Sequence, residues 1–302
     1  MAKLTTQPAV DLLSLNTDFD TDEECRAYLE KLRWPDGVKC PRCQSEKMSR
    51  IKARKVFDCD GCRYQFSVTA GTIFHDSHLP LPKWFLAIFL ISESKKGMSA
   101  LQLKRLLKVS YKTAWYLSHR IREAMREDNP QPLDGTIECD ETYVGGKPRY
   151  RVGKGNYRMS KTMVMAALQR GGDIRIQTGK NSNRRTLHPF IQKHAPNPKR
   201  IMTDEHPAYV GLADGDTTHE TVTHSKKEYV RGDVHTNGIE GAFGLFKRSI
   251  VGSFHQISVK HLDRYLDEFE FRYNNRKNAY LFSDTLIRLT NGAALPYDKL
   301  TA

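Results

Sequence analysis

The spacing of apolar positions changes along the chain and divides it into segments. Residues 1–20 carry no sustained pattern and predict a flexible lead into a short helix over residues 22–32. Thr21 stands there as N-cap, with Glu24 at the capping-box position. Between 34 and 75, short alternating runs such as Arg54-Lys-Val-Phe-Asp-Cys59 and Tyr64-Gln-Phe-Ser-Val68 predict hairpin strands. From Pro82 to Met125 the period becomes helical, with Trp84, Ile88 and Phe89 on one helix, Leu101, Leu103, Leu106 and Leu107 on a second, and Trp115, Leu117, Ile121 and Met125 on a third. Asn129-Pro-Gln-Pro-Leu-Asp-Gly135 reads as a linker. Beyond it, strands are predicted at 136–144, 162–168, 173–178, 200–203 and 220–223, and helices at 184–194, 207–212, 237–250 and 259–274. That order fits a mixed sheet with helices on its faces.

The predicted fold class is therefore multidomain α+β. An N-terminal segment (1–33) precedes a small β-rich module (34–79), a helical region (80–128), the linker (129–135), a mixed α/β domain (136–285) and a C-terminal tail (286–302).

The charge narrows the partners. With 48 Lys+Arg against 35 Asp+Glu, a formal +13 over 302 residues, the natural partner is a polyanion, and nucleic acid is the first candidate. The longest apolar run, Trp84 to Ile91, is far short of a bilayer crossing, so no membrane role is expected and the predicted location is the cytoplasm, at the nucleoid when bound to DNA. The third helix of the 80–128 region carries Lys112, His119, Arg120, Arg122 and Arg126, the pattern of a helix-turn-helix whose last helix meets DNA. The neighbouring Trp84 and Trp115 read as core by their helical spacing.

Cys40-Pro-Arg-Cys43 and Cys59-Asp-Gly-Cys62 form C-x₂-C-x₁₅-C-x₂-C, which predicts one structural Zn²⁺ held by four thiolates, with Gly61 easing the tight knuckle. Cys25 and Cys139 remain as free thiols. The basic residues around the module, Lys39, Arg42, Lys47, Arg54, Lys55 and Arg63, fit a DNA-facing surface or a merely solvated one.

Three acids stand out further on: Asp140 at a strand end before the Gly145-Gly146 turn, Asp204 at the end of another strand, and Glu240 in a glycine-rich helix, with 35 residues between the last two. Carboxylates converging from two strand ends and a helix would suit Mg²⁺, which takes hard oxygen ligands and leaves positions open to phosphate. Each acid also has an ordinary reading. Asp140 could be a surface residue and Asp204 a cap or turn residue. Glu138, Glu141 and Glu205 are the neighbouring acids, Glu138 and Glu141 could be simply solvated, and His206 is a candidate supporting group. Lys247 lies two helical turns after Glu240 on the same face, and Asn237 lies one turn before it.

These residues resemble the DDE-class transposases of prokaryotic insertion sequences, in the group with an N-terminal zinc ribbon, a helical DNA-binding region and a ribonuclease H-like catalytic domain. The similarity spans roughly residues 20–280. It is carried by Glu138-Cys-Asp-Glu-Thr-Tyr-Val-Gly-Gly-Lys147, Thr203-Asp-Glu-His-Pro-Ala-Tyr209, Val234-His-Thr-Asn-Gly-Ile-Glu-Gly-Ala-Phe-Gly-Leu-Phe-Lys-Arg248 and Arg272-Tyr-Asn-Asn-Arg276.

The resemblance implies that Asp140, Asp204 and Glu240 are the catalytic metal ligands and that Lys247 is the class's basic residue seven positions after the glutamate. Asn237 stands as an alternative or additional third ligand. The implied cofactors are two catalytic Mg²⁺, or Mn²⁺ in their place, beside the structural Zn²⁺. The implied partners are double-stranded DNA, as the element's terminal inverted repeats and the target, with a homo-oligomer assembled on it. Lys112, Arg120, Lys247 and Arg248 are the candidate DNA contacts, and Lys147, Arg149, Arg151, Lys154, Arg158 and Lys161 form a basic stretch that could guide the strand. Two rival readings are a zinc-ribbon transcription regulator without catalysis and a ribonuclease H-like nuclease of another kind.

Overall fold

The computed structural model describes residues 9–145, 149–150, 157–158 and 161–301. The chain forms two units, residues 1–125 with 277–302, and residues 126–276. In the first unit Asp11 caps helix α1 (Leu12–Asp18), which buries Leu15. Part of the segment expected to be flexible is thus a helix, anchored by Leu15 and Phe19 in the core. Helix α2 (Asp22–Arg33) starts with the predicted capping box, Glu24 N–H donating to Thr21 Oγ1 at 3.2 Å and Thr21 N–H to Glu24 Oε2 at 2.9 Å. Its buried positions Cys25, Leu29 and Leu32 share one face.

Strands β1 (Met48–Ile51), β2 (Val56–Cys59) and β3 (Gln65–Phe66) make a three-stranded antiparallel sheet. Phe57 and Phe66 pack beneath it against Trp34. Helices α3 (Leu81–Glu93), α4 (Ala100–Leu107) and α5 (Tyr111–Met125) follow. Trp84 is core, as its spacing predicted, with its indole N–H on Ser77 Oγ at 2.9 Å.

The second unit is built on β4 (Thr136–Val144), with β5 (Arg149–Tyr150) and β6 (Tyr157–Arg158) as a separate ribbon, then β7 (Thr162–Gln169), β8 (Ile174–Gly179), α6 (Arg184–His194), β9 (Arg200–Thr203), β10 (Thr218–Thr221), the ribbon β11 (Val230–Arg231) and β12 (Val234–His235), α7 (Asn237–Ser249) and α8 (Leu262–Asn274). The five-stranded sheet runs β10-β9-β4-β7-β8, antiparallel on the β7–β8 side and parallel on the β9–β10 side. Side-chain alternation along β4 separates two cores. Ile137 and Cys139 face α6, whereas the positions opposite Ala166 and Leu168 share the face covered by α7 and α8. The expected linker is no tether: Leu133 is buried in the α6-side core and its N–H donates to His194 O at 2.7 Å.

β8 is an edge strand, and its backbone N–H groups at every second position are satisfied from α8. Ile174 N–H donates to Asn274 Oδ1 at 2.8 Å, Ile176 N–H to Glu270 Oε2 at 3.0 Å and Thr178 N–H to Asp263 Oδ1 at 3.3 Å. Burial pushes the Glu270 carboxyl up from 4.5 to about 7. A carboxyl raised on folding destabilises the native state increasingly as pH climbs from 4.5 through 7. Glu270→Gln keeps an acceptor for Ile176 and should raise the unfolding midpoint at pH 8 by a few degrees, roughly 1–3 kcal/mol. The gain should fade toward pH 4.5; thermal melts across that range check it.

The last helices, α9 (Leu281–Asn291) and α10 (Tyr297–Thr301), belong to the first unit. The expected boundary at 285 and the tail beyond it are therefore corrected. Leu281, Phe282, Leu286 and Leu289 are buried, and α9 packs on α2, α3 and α5. Among the described residues no helix is long and apolar enough to cross a membrane.

Candidate metal centres and nucleic-acid interface

Cys40, Cys43, Cys59 and Cys62 bring their sulfurs within 4.8 Å of one another. The Cys40–Cys62 and Cys43–Cys59 Sγ separations are 3.7 and 3.5 Å. A tetrahedron of Zn–S bonds has an edge of about 3.8 Å, so the four thiols fit zinc with no position left open. Each Cys-x-x-Cys turn closes by a backbone bond, Gln44 N–H to Cys40 O at 2.9 Å and Arg63 N–H to Cys59 O at 2.7 Å. The left-handed residues are Gln44 and Arg63, at φ 61° and 58°. Gly61 serves a different purpose from the one expected: a Cβ there would meet Ser45 Cβ at 3.3 Å, so its role is close packing. Much of the surrounding positive charge is paired locally, Lys39 with Glu46, Arg50 with Glu30, Lys55 with Glu23 and Arg63 with Asp58.

On the helices, Lys112 is exposed at the start of α5, with its ammonium 4.5 Å from the Tyr297 ring centroid. Arg120 is not at the surface. It is 4% exposed and donates to the carbonyls of Ile73 and His75, between the rings of Trp84 and Tyr116. His119 and Arg122 are buried as well. The physical reason for Arg120 is the 73–75 segment and Trp84 of α3, which receive its guanidinium. Exposed basic residues instead lie on α4 and the turn after it: Lys104, Arg105 and Lys108.

In the second unit the parallel β4–β9 register ends at Glu138 opposite Met202; Asp140 stands two residues further along β4, and Asp204 directly follows the end of β9. Asp140 pairs with Ala166 and so faces α7, whose first turn carries Glu240. Burial, then the charge of Asp204 and, more weakly, those of Glu141 and Glu240, push Asp140 up to about 8. Asp204 and Glu240 are therefore each within electrostatic reach of Asp140. Among the described residues only the four cysteines are drawn together tightly enough to form a metal cluster as they stand. Asp204 is also a turn residue, its Oδ1 accepting His206 N–H at 3.0 Å. Glu240 Oε1 accepts from Thr236 Oγ1 at 2.8 Å and lies 3.6 Å from His224 Nε2. Asn237, Lys247 and Arg248 are exposed on α7.

The neighbouring acids are structural. Glu141 accepts from the buried Tyr209 hydroxyl at 2.5 Å. Glu205 takes the N–H groups of Ser225 and His224 at 2.8 and 2.7 Å, which hold its carboxyl down at about 2. Glu138 is 1% exposed rather than solvated; it accepts from Ile239 N–H at 2.9 Å and from Arg170 Nε at 3.0 Å. It thereby pins the start of α7 to β4 two residues before Asp140. Period-two parity marks Glu138 as sharing the face of Asp140, but the depth of that face is decided by α7. His206 caps the Pro207–Tyr209 turn, its Nδ1 accepting Ala208 N–H. The basic stretch Lys147, Arg151 and Lys154, with the side chains of Arg149 and Arg158, lies outside the described residues, while Lys161 is exposed.

Gly238 makes the Glu138 latch feasible. A Cβ at 238 would stand 2.7 Å from Glu138 Oε2 and 3.1 Å from Leu168 Cδ2. Gly238→Ala should cost about 1–3 kcal/mol of stability by overpacking. The same clash should shift the first turn of α7, and with it Glu240, away from β4; thermal melts read the loss of stability. Gly241→Ala, where an added Cβ meets nothing within 4 Å, should be neutral or slightly stabilising in the same melts.

Two family models match the chain, one within each unit. A family model described as the ISXO2-like transposase domain matches residues 132–274, and one described as a transposase zinc-ribbon domain matches residues 20–65. A Halobacterium salinarum protein, described as an uncharacterized protein in transposable element ISH50, is 32% identical over 274 residues, covering 84% of this chain and 91% of the relative. The chain belongs to the ISXO2-like transposases. Among solved structures, a pre-cleavage Mos1 transpososome overlaps 68% of this chain and 75% of its own at 12% identity and TM-score 0.25. The Mos1 strand transfer complex overlaps the same shares at 13% identity and TM-score 0.28.

Proposed function

We propose that the second unit is a ribonuclease H-like catalytic domain that cuts DNA at the ends of its own insertion sequence and joins the freed ends to a target. The observation that supports this reading is the placement of Asp140 on the face of β4 that α7 covers, with Glu240 in the first turn of α7 and Asp204 just past β9, near enough that its charge raises the Asp140 carboxyl. Three carboxylates from the middle of β4, the residue after β9 and the first turn of α7 are the hard-oxygen donor set that Mg²⁺ takes. Two Mg²⁺ ions bound there would activate water and stabilise the leaving oxygen, and after cleavage the same site would present the new 3′-OH to target DNA.

Within that reading Asp140, Asp204 and Glu240 would together hold the Mg²⁺. Glu138 and Gly238 hold α7 in register with β4. Lys247 and Arg248, further along the exposed face of α7, hold the adjacent backbone phosphates. The first unit supplies end recognition. We read α3–α5 as a helix-turn-helix in which the exposed start of α5, with Lys112, and the basic face of α4 meet the DNA. Cutting two ends in one event calls for an oligomer on DNA, and such work belongs in the cytoplasm at the nucleoid. A regulator without catalysis would leave the acid cluster and its buried support without a use.

The test is a cleavage and strand-transfer assay on the inverted repeats flanking the gene, with Mg²⁺ and full-length protein. Wild type should cut and join, and Asp204→Asn and Glu240→Gln should do neither. Asn237→Ala losing activity while Glu240→Gln keeps it would move the third ligand to Asn237.

A further inference from the structure

We propose that His224 contributes a nitrogen ligand to the ion held by Glu240, which makes that half of the site mixed oxygen–nitrogen and turns its preference from Mg²⁺ toward Mn²⁺. The inference rests on the reading of Asp140, Asp204 and Glu240 as metal ligands. His224 opens the short turn His224–Lys226 after β10. That turn is tied to the site through Glu205, which follows Asp204 directly and accepts the N–H groups of both His224 and Ser225. The imidazole is backed by Tyr229, with ring centroids 5.2 Å apart.

Its Nε2 is shielded from solvent and has no hydrogen-bond partner. A buried polar nitrogen left unmet is costly, and such an atom beside an acid cluster is accounted for by a ligand. The Glu240 Oε1 atom lies 3.6 Å away, too far for a hydrogen bond. Two donors bonded to one ion at about 2.1–2.2 Å stand roughly 3.0–3.6 Å apart. The opposite side of Glu240 Oε1 is held by Thr236 Oγ1, the kind of outer contact that orients a ligating carboxylate.

The other nearby imidazoles are engaged. His206 Nδ1 accepts Ala208 N–H and its Nε2 faces Glu141, and His219 Nε2 is bonded to Thr203 Oγ1 at 2.9 Å. Mg²⁺ favours an all-oxygen shell with retained water, whereas imidazole suits the transition metals, so a nitrogen at this position favours Mn²⁺.

The experiment is Mn²⁺ titration of the full-length, zinc-loaded protein followed by electron paramagnetic resonance, with pulsed detection of ¹⁴N coupling. Wild type should bind Mn²⁺ with an imidazole nitrogen signature. His224→Gln should lose that signature and weaken Mn²⁺ by about tenfold while changing Mg²⁺ competition by less than about threefold. His206→Gln should retain it. Zinc content and circular dichroism establish that each variant is folded. Mn²⁺ binding that is lost in Asp140→Asn, with no nitrogen coupling in wild type or with coupling that survives His224→Gln, overturns the role of His224 and leaves the carboxylate site standing. Mn²⁺ binding indifferent to Asp140→Asn overturns the carboxylate site itself, and the role of His224 with it.

Discussion

Asp140→Asn should reduce metal-dependent strand cleavage by roughly 10³-fold or more, the scale on which loss of a group stabilising transition-state charge is felt. The same variant should make the metal-free protein more stable. Asp140 is pushed up to about 8 by burial and by Asp204, so its ionised form is disfavoured in the folded state. The resulting penalty is absent below the unfolded value of 3.8, grows as pH rises and is complete above about 8. At pH 8 without divalent metal, Asp140→Asn should melt several degrees above wild type, and at pH 4 the two should coincide. Added Mg²⁺ or Mn²⁺ should stabilise wild type and leave the variant nearly unmoved, because the ion supplies the countercharge that wild type lacks. A variant that cuts like wild type, or melts below it at pH 8, would show that Asp140 does not occupy a strained metal site.

Cys59→Ser should bring the zinc content from about one per chain to near zero and unfold the ribbon, because a structural zinc supplies on the order of 10 kcal/mol to a module of this size. Residues 40–66 have a small apolar core, Phe57 and Phe66 with Cys40 and Cys59, too little to hold three short strands without the metal. Limited proteolysis should then cut between 34 and 79 in the variant and spare wild type. Recognition of the element's ends should weaken, while the second unit, with its own cores on both faces of the sheet, should melt as before. Retention of zinc, or an intact protease-resistant ribbon, would remove the four-thiolate assignment.

Elements bounded by strong local signals were legible to the residue. The strands at 136–144 and 200–203 and the helix at 184–194 match their expected limits, with Gly135 before the first and Asn183 capping the helix. The capping box at Thr21 and Glu24 was equally plain, since both of its bonds lie within four residues. The helix expected at 207–212 is only the turn Pro207–Tyr209, whereas the one expected from 259 does start there, as the 3-10 turn Val259–His261 that runs into α8 at Leu262. The ribbons β5–β6 and β11–β12, two residues per strand, are too short to carry a period. Arg120 shows the deeper limit. Its basic character on the last helix of the region suggested a DNA contact, and only tertiary contacts with the Ile73 and His75 carbonyls and with Trp84 of α3 turn that position into core.

The sequence alone determined the four thiolates, because two Cys-x-x-Cys turns at that separation close on an ion through local geometry. It determined the three acids as candidates and the helix that carries Glu240, through strand ends, turn residues and helical period. Tertiary structure alone decided that β4 and β9 run parallel side by side with Asp204 just past the end of β9, that Glu138 is a buried latch and not a solvated acid, and that His224 stands beside Glu240. Those facts depend on register and on which face a helix covers, and these are set by contacts between residues as far apart as Glu138 and Ile239, beyond the reach of any local pattern.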